Sequence, residues 1–277
     1  MKKLILIISL ITFCFTTQAQ LKPDVVNSLG GSAQYAGGYL AYSVGEPIIG
    51  TATGTTTTIS QGFLQTWHSL AKSISLNLYL EGLFDISSSK MVEAQDIDWG
   101  TGSTFPKYGV GIADRIQVDL FEENPPFNPV GVSISGIDLS TDGLATFQIS
   151  PTNNGNYYIR VRTRNHLETW TAIAVPFNTA TIVYDFTTNA LKAYQAPGGL
   201  DPQVMVGDNL YAFYLGDLDQ SMSVDFDDFN VFEPYLNEGT YGFNIADFNG
   251  NGLVDFDDFN LFEPRLNEGP FTQYPGM

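Results

Sequence analysis

One sixteen-residue stretch is written twice. "VDFDDFNVFEPYLNEG" occupies residues 224–239 and "VDFDDFNLFEPRLNEG" residues 254–269, identical at 14 of 16 positions. Such a duplication means two copies of one small structural unit, and a single copy cannot bury its own apolar face. After an acidic start, the first copy carries Phe229, Phe232 and Leu236 at helical spacing, and the second carries Phe259, Phe262 and Leu266. The expected structure is a pair of short helices packed through those stripes. Pro234 and Pro264 are expected to end the helices near Glu233 and Glu263, because proline removes a backbone donor.

The residues before each copy extend the pattern. "DLDQSMSVDFDD" runs over residues 217–228 and "DFNGNGLVDFDD" over 247–258. Oxygen-bearing side chains fall at positions 1, 3, 5, 9 and 12 of both. They are Asp217, Asp219, Ser221, Asp225 and Asp228 in one, and Asp247, Asn249, Asn251, Asp255 and Asp258 in the other. This is the spacing of a twelve-residue calcium loop, in which the position-7 carbonyl (Ser223 or Leu253) adds a further ligand. Calcium takes six to eight hard oxygens in a flexible shell, and a tight loop aims alternate side chains inward to supply them. The position-12 carboxylate lies in the first helical turn, where negative charge is also favoured. The expectation is two calcium sites. Val224 and Val254, at position 8, are expected to bridge one loop to the other. Position 6 is Gly252 in the second loop and Met222 in the first. That position often needs a positive φ, which costs a non-glycine residue, so the first loop is expected to be the weaker site. The bland alternative is an acidic solvated surface with aspartates capping two helices. Capping needs one oxygen per helix, not five at loop spacing.

The paired loops, each followed by a helix and closed by Asp at position 12, resemble dockerins. The resemblance covers roughly residues 215–269. It implies a nearly two-fold symmetric module that docks a protein partner, as cohesins dock some dockerins in two orientations. The copies differ at Val231/Leu261 and Tyr235/Arg265, four residues apart on one helix face. That face is the expected partner surface, with neutral drift on a solvent face as the alternative.

The rest of the chain reads differently. Residues 1–19, "MKKLILIISLITFCFTTQA", have two lysines, an apolar run and a small-residue end. This is a signal-peptide pattern, and the apolar run is too short to span a bilayer. Cys14 lies inside that run after bulky Phe13, which argues against a lipoprotein. It is the only cysteine, so the mature chain would have no disulfide, and metal is the usual substitute in a small module. The 277 residues carry 12 basic and 30 acidic side chains. Residues 201–277 hold 15 acids against the single base Arg265. Such a surface repels nucleic acid and anionic membranes.

Residues 20–70 are rich in Gly, Thr and Ser, with short strand-like runs such as "YLAYSV". Residues 71–214 alternate in "SISLNLYLEGLF", "RIQVDLF", "GLATFQIS", "GNYYIRVRTR", "ATIVYDFTT" and "NLYAFYL", separated by turn residues. The expected class is mainly β: a signal peptide (1–19), a Gly/Thr-rich β segment (20–70), an antiparallel β-sandwich (71–214) and a small α-helical paired-calcium-loop module (215–277). "LNLYLEGLFD", "YYIRVRTRNHLETWTA" and "YDFTTNALKAY" resemble a β module of large secreted proteins in Gram-negative bacteria with type IX secretion, across about residues 75–217. "AYSVGEPIIGT" with "ISQGFLQ" resembles an N-terminal β segment of the same proteins. No sorting domain of that system is recognisable after it.

Arg160, Arg162 and Arg164 share one strand face. They read either as an anion site or, more plainly, as a ladder paired with acids such as Asp119 or Asp185. Trp67, Trp99 and Trp170 offer either sugar stacking or core packing, and the lone histidines His68 and His166 read as structural. No nucleophile elbow, HExxH motif, phosphate loop or dinucleotide fingerprint is present. The sequence reading is an exported, non-catalytic calcium-binding protein, secreted or at the cell surface, with the periplasm also open. Its expected role is docking a protein partner. A carbohydrate-binding accessory and a glycoside-hydrolase-like enzyme with an unrecognised carboxylate pair are the alternatives.

Overall fold

The computed structural model describes residues 71–277, together with the backbone of four short strands nearer the start. The chain forms two units, Met1–Leu70 and Ala71–Met277. In the first, Gly30–Tyr35 pairs antiparallel with Gly38–Ser43, and Thr51–Thr53 with Thr58–Ser60. The expected signal peptide, Cys14, Trp67 and His68 lie outside the described residues.

The second unit is mainly β. Its principal sheet holds β1 (Lys72–Asn77), β2 (Ile112–Glu122), β3 (Pro129–Ser140), β4 (Leu144–Ile149), β5 (Asn156–Arg162), β6 (Thr169–Trp170), β7 (Val175–Pro176) and β8 (Thr181–Asp185). The order is β6-β5-β2-β3-β4-β1-β8, with β7 also pairing β5. The pairs are antiparallel except β8 with β1, which is parallel. Eight strands thus form one hydrogen-bonded sheet, seven of them in a single path, and not two separate antiparallel sheets. The path narrows at β3–β4, where a single register pair, Leu139 with Ala145, joins them. There the sheet curls. Inward residues of β2 and β5 (Ile116, Val118, Leu120, Ile159, Val161) then meet those of β1, β4 and β8 (Ile74, Leu76, Ala145, Ile182) in one buried cluster. Strand β1 alternates buried and half-buried along its length, the period-two pattern of a strand with one face on a core.

Two helices follow, α1 (Phe226–Glu238) and α2 (Phe256–Glu268). Both run through their prolines, contrary to the expected stops. A mid-helix proline costs about 3 kcal/mol, and three features at each helix oppose that cost. Asp225 and Asp255 open the helices with capping boxes closed by Asp228 and Asp258. Gly239 and Gly269 end them in the left-handed conformation. Phe232 and Phe262 are fully buried between them, centroids 5.4 Å apart, with Phe248 against both.

The expected bridge between loops also takes another form. Val224 N donates to Pro270 O and Thr272 N to Met222 O, both at 2.8–2.9 Å. Val254 N donates to Thr240 O and Gly242 N to Gly252 O, at 2.8 Å. Each loop therefore pairs with the segment that leaves the opposite helix. The exchange preserves the two-fold relation between copies and satisfies the same backbone groups. Among the described residues, no helix is long and apolar enough to cross a membrane.

Candidate metal centre

The two loops have the same backbone. Gln220 and Met222 sit at φ of 59° and 76°, and Gly250 and Gly252 at 73° and 82°. Position 6 is left-handed in both, so Met222 bears a strain that Gly252 does not.

Both loops fold around buried carboxylates. In the first, oxygens of Asp217, Asp219 and Asp228 lie within 4.8 Å of one another. Asp217 accepts from Ser221 N at 2.9 Å and Met222 N at 3.3 Å. Asp228 accepts from Leu218 N (2.7 Å), Asp219 N (3.1 Å) and Asp225 N (2.9 Å). The second loop repeats this. Asp258 accepts from Phe248 N (2.7 Å), Asn249 N (3.1 Å) and Asp255 N (3.0 Å), and Asp247 Oδ2 accepts from Gly252 N at 2.9 Å. Positions 1, 3 and 12 of the first loop thus converge. Positions 5, 7 and 9 are held by internal bonds. Ser221 Oγ donates to Ser223 O at 3.3 Å, and Asn251 Oδ1 accepts from Leu253 N at 2.8 Å. Asp225 and Asp255 cap Asp227 N and Asp257 N.

Capping explains Asp225 and Asp255, and part of Asp228 and Asp258. It leaves Asp217 and Asp247 unexplained. Asp228, Asp247 and Asp258 are fully buried and Asp217 is 2% exposed, which a solvated acidic surface is not. Two buried carboxylates within one loop repel unless a proton or a cation joins them. Burial, with the Asp228 charge, pushes Asp217 up to about 7. Burial raises Asp228 and Asp247 to about 6 and Asp258 in the same direction. Asp247 Oδ1 is buried with no hydrogen-bond partner, a place where a cation fits. Every donor in the set is oxygen, with no imidazole or thiolate, which suits a hard cation such as calcium.

The surroundings of the loops differ. Ser221 and Asp227, like Asn251 and Asp257, are exposed, whereas Asp225 is exposed and Asp255 half-buried. The second loop lies against the sheet unit. Gln95 N donates to Gly250 O at 2.9 Å. A Cβ at Gly250 would sit 2.7 Å from Leu83 Cδ2, and one at Gly252 would sit 3.3 Å from Gln95 Cβ. The second loop needs its glycines for close approach as well as for φ, which spacing alone could not indicate.

The expected partner face is partly taken up internally. Val231, Tyr235 and Leu261 are half-buried against the core between the helices. Arg265 bonds Glu81 at 2.8 Å, pairs with Glu268, and lies over the Tyr214 ring. The residues that sequence reasoning missed are Phe226 and Phe256, first in their helices, 70% and 71% exposed. Phe226 touches Phe229, and Phe229 touches Phe259 across the two-fold relation, with centroids 5.9 and 6.3 Å apart. A signal existed: Phe226 and Phe256 fall three residues before Phe229 and Phe259, outside the buried stripe.

The arginine ladder is internal. Asp119 lies between Arg160 and Arg162 at 3.1 and 3.2 Å, and Glu168 is 3.2 Å from Arg160. Asp185 is turned instead to Thr187. Trp170 is buried against Phe121 and Tyr274, whereas Trp99 is 77% exposed at the tip of the 95–106 hairpin. His166 is fully buried on Glu81 O at 2.9 Å, and burial lowers it to about 3, so it is neutral.

No protein-family model matches the chain, and no curated protein matches it. Solved structures that align with it include an N-terminal and a C-terminal interface mutant of a type II cohesin–X-dockerin complex from Acetivibrio cellulolyticus. Their identities are 12% and 13% and their TM-scores 0.37 and 0.38, with 70% of this chain and 95% of each of those covered. Likeness at that level assigns neither a fold nor a role to this chain.

Proposed function

We propose that this is an exported, non-catalytic docking protein whose helical pair is held by two calcium ions. The observation that carries the reading is the pair of buried carboxylates in each of two identically built loops. Calcium would be held by Asp217, Asp219, Ser221, Asp225, Asp228 and the Ser223 carbonyl in the first loop. In the second it would be held by Asp247, Asn249, Asn251, Asp255, Asp258 and the Leu253 carbonyl. The docking face is the Phe226/Phe256 end of the helices. Exposed Asp227 and Asp257 beside those rings select a protein partner with apolar pockets rimmed by Lys or Arg. Calcium fixes the helix starts and so presents both rings.

Isothermal titration of the full chain with calcium chloride tests the metal, with two binding events expected. Asp217→Ala should remove the weaker and Asp247→Ala the tighter. Absence of any calcium heat at millimolar concentration overturns the reading. For the face, a protein retained from envelope extract in calcium should be lost with EGTA and with Phe226→Asp/Phe256→Asp. Retention by the double variant would place docking elsewhere.

A further inference from the structure

The second loop is reached from the sheet unit by one side chain that does three things. Arg164, just past the end of β5, donates through Nε to Asp114 Oδ2 at 2.8 Å. Its Nη2 donates to Asp247 O at 2.8 Å, and its Nη1 to Asn244 O. The guanidinium also lies 4.8 Å from the Phe243 ring centre. Side chains of both Arg164 and Asp114 are nearly buried, at 11% and 2%. Next in sequence, Asn165 Nδ2 donates to Ile245 O at 2.8 Å. On the other side of the segment, Phe243 N donates to Asp96 Oδ1 at 3.1 Å, and Gln95 N reaches Gly250 O. Residues 243–250, which lead into and begin the second loop, are thus gripped from two directions. The first loop's lead-in is tied to the sheet by backbone, with Leu167 N donating to Tyr214 O and Gly216 N to Asn165 O, both at 2.9 Å, and the Arg164 side chain makes none of those bonds. Arg164 meets the first loop only through its backbone, Gln220 Nε2 to Arg164 O at 3.5 Å.

We propose that Arg164 is the positioning residue of the second loop: it fixes the Asp247 backbone so that the unpartnered, buried Asp247 Oδ1 is set for the metal. The Arg164 side chain thereby becomes part of that site, and it makes no bond to the first loop's own lead-in. This rests on the calcium reading above. A guanidinium holds two carbonyls and a carboxylate at once through its planar fork, which neither lysine nor a neutral side chain can do. By linkage, whatever the sheet unit adds to calcium affinity at the second loop, calcium returns as tightness of the sheet–loop joint.

Charge and position make opposite predictions for one variant. Arg164→Met removes a cation near the loop and leaves Asp114 negative, so Coulomb effects alone would strengthen calcium binding. Loss of the hydrogen bonds that orient a ligand typically weakens metal affinity about 10- to 100-fold.

The experiment is calcium titration of the full chain carrying Arg164→Met, in an Asp217→Ala background for the second loop and an Asp247→Ala background for the first. The expected result is at least about tenfold weaker binding at the second loop with the first unchanged, and an intermediate loss for Arg164→Lys. Faster hydrogen exchange at Gln95 and Phe243 should accompany it. Unchanged or tighter binding at the second loop overturns the proposal while the calcium reading stands. Equal loss at both loops marks a general folding defect and also overturns it. If the methionine variant does not fold, the lysine variant decides by the same comparison. No calcium binding by the unaltered chain brings down both.

Discussion

Asp217, Asp228, Asp247 and Asp258 are taken out of water, and only Asp247 gains a nearby cation, Arg164. Burial therefore ties their ionisation to folding. An acid whose pKa is raised on folding binds its proton more tightly in the folded state. The metal-free chain should then lose stability as pH rises from about 4, where the unfolded carboxylates ionise, through the folded values of about 6 and 7. His166 works against this. Its pKa falls on folding to about 3, so its contribution to stability grows as pH rises towards the ordinary value of about 6.5. Four raised aspartates, with Glu81 raised by burial as well, outweigh one imidazole and leave the net slope downward. Calcium needs the ionised carboxylates and displaces their protons, so its affinity should rise across the same window. Thermal melts in EDTA should show a falling Tm from pH 4.5 to 7.5, and melts in calcium a widening gap above them. A Tm in EDTA that stays level or climbs would mean that these carboxylates are not buried as described.

At the scale of elements, α1 and α2 show what local sequence carries and what it does not. The stripes Phe229–Phe232–Leu236 and Phe259–Phe262–Leu266 announced two helices, and the alternation in β1, β2, β4, β5 and β8 announced strands. Strand β3, "PVGVSISGIDLS", went unread because Pro129, Gly131 and Gly136 look like turn residues. Its pairing with β2 absorbs them through register shifts. The helix ends were misread for the opposite reason. Proline was given its full local weight, although capping and burial outweigh it. Pro234 and Pro264 are exposed, so replacing them removes little packing and restores a backbone donor each. Pro234→Ala should therefore stabilise the calcium-loaded chain by about 1–3 kcal/mol in urea unfolding, and Pro264→Ala by a similar amount. A loss of stability in both would show that the proline rings are needed for packing or for limiting the unfolded chain.

For the molecule as a whole, the loop spacing was legible because it is local, whereas the partners of the loops were not, because they lie far along the chain. Arg164 and Asp247 are 83 residues apart, and nothing near either announces the other. The same holds for residues 270–277, which close the first loop. Pro270 O and Thr272 N pair with Val224 and Met222. Thr272 Oγ1 donates to Glu168 O at 3.0 Å. Gln273 accepts from Ala196 N at 2.9 Å and donates to Leu200 O at 2.8 Å, and Tyr274 packs on Trp170. The first loop therefore joins the sheet at both ends, through its lead-in, where Gly216 N donates to Asn165 O at 2.9 Å, and through this tail. Truncation after Gly269 removes five of these hydrogen bonds, each worth about 1 kcal/mol net, a large share of a typical stability of about 5–15 kcal/mol. It leaves the partner of the second loop, residues 240–242, in place. Calcium titration of the truncated chain should show the first site weakened at least tenfold, the second unchanged, and a lower Tm. Should that truncation not fold, ending the chain after Thr272 keeps the loop pairing and removes only the Gln273 and Tyr274 ties, and a smaller loss at the first site is then expected. If both truncations bind calcium as the full chain does, the tail is not what holds the first loop, and a weaker first site would then rest on the left-handed Gln220 and Met222.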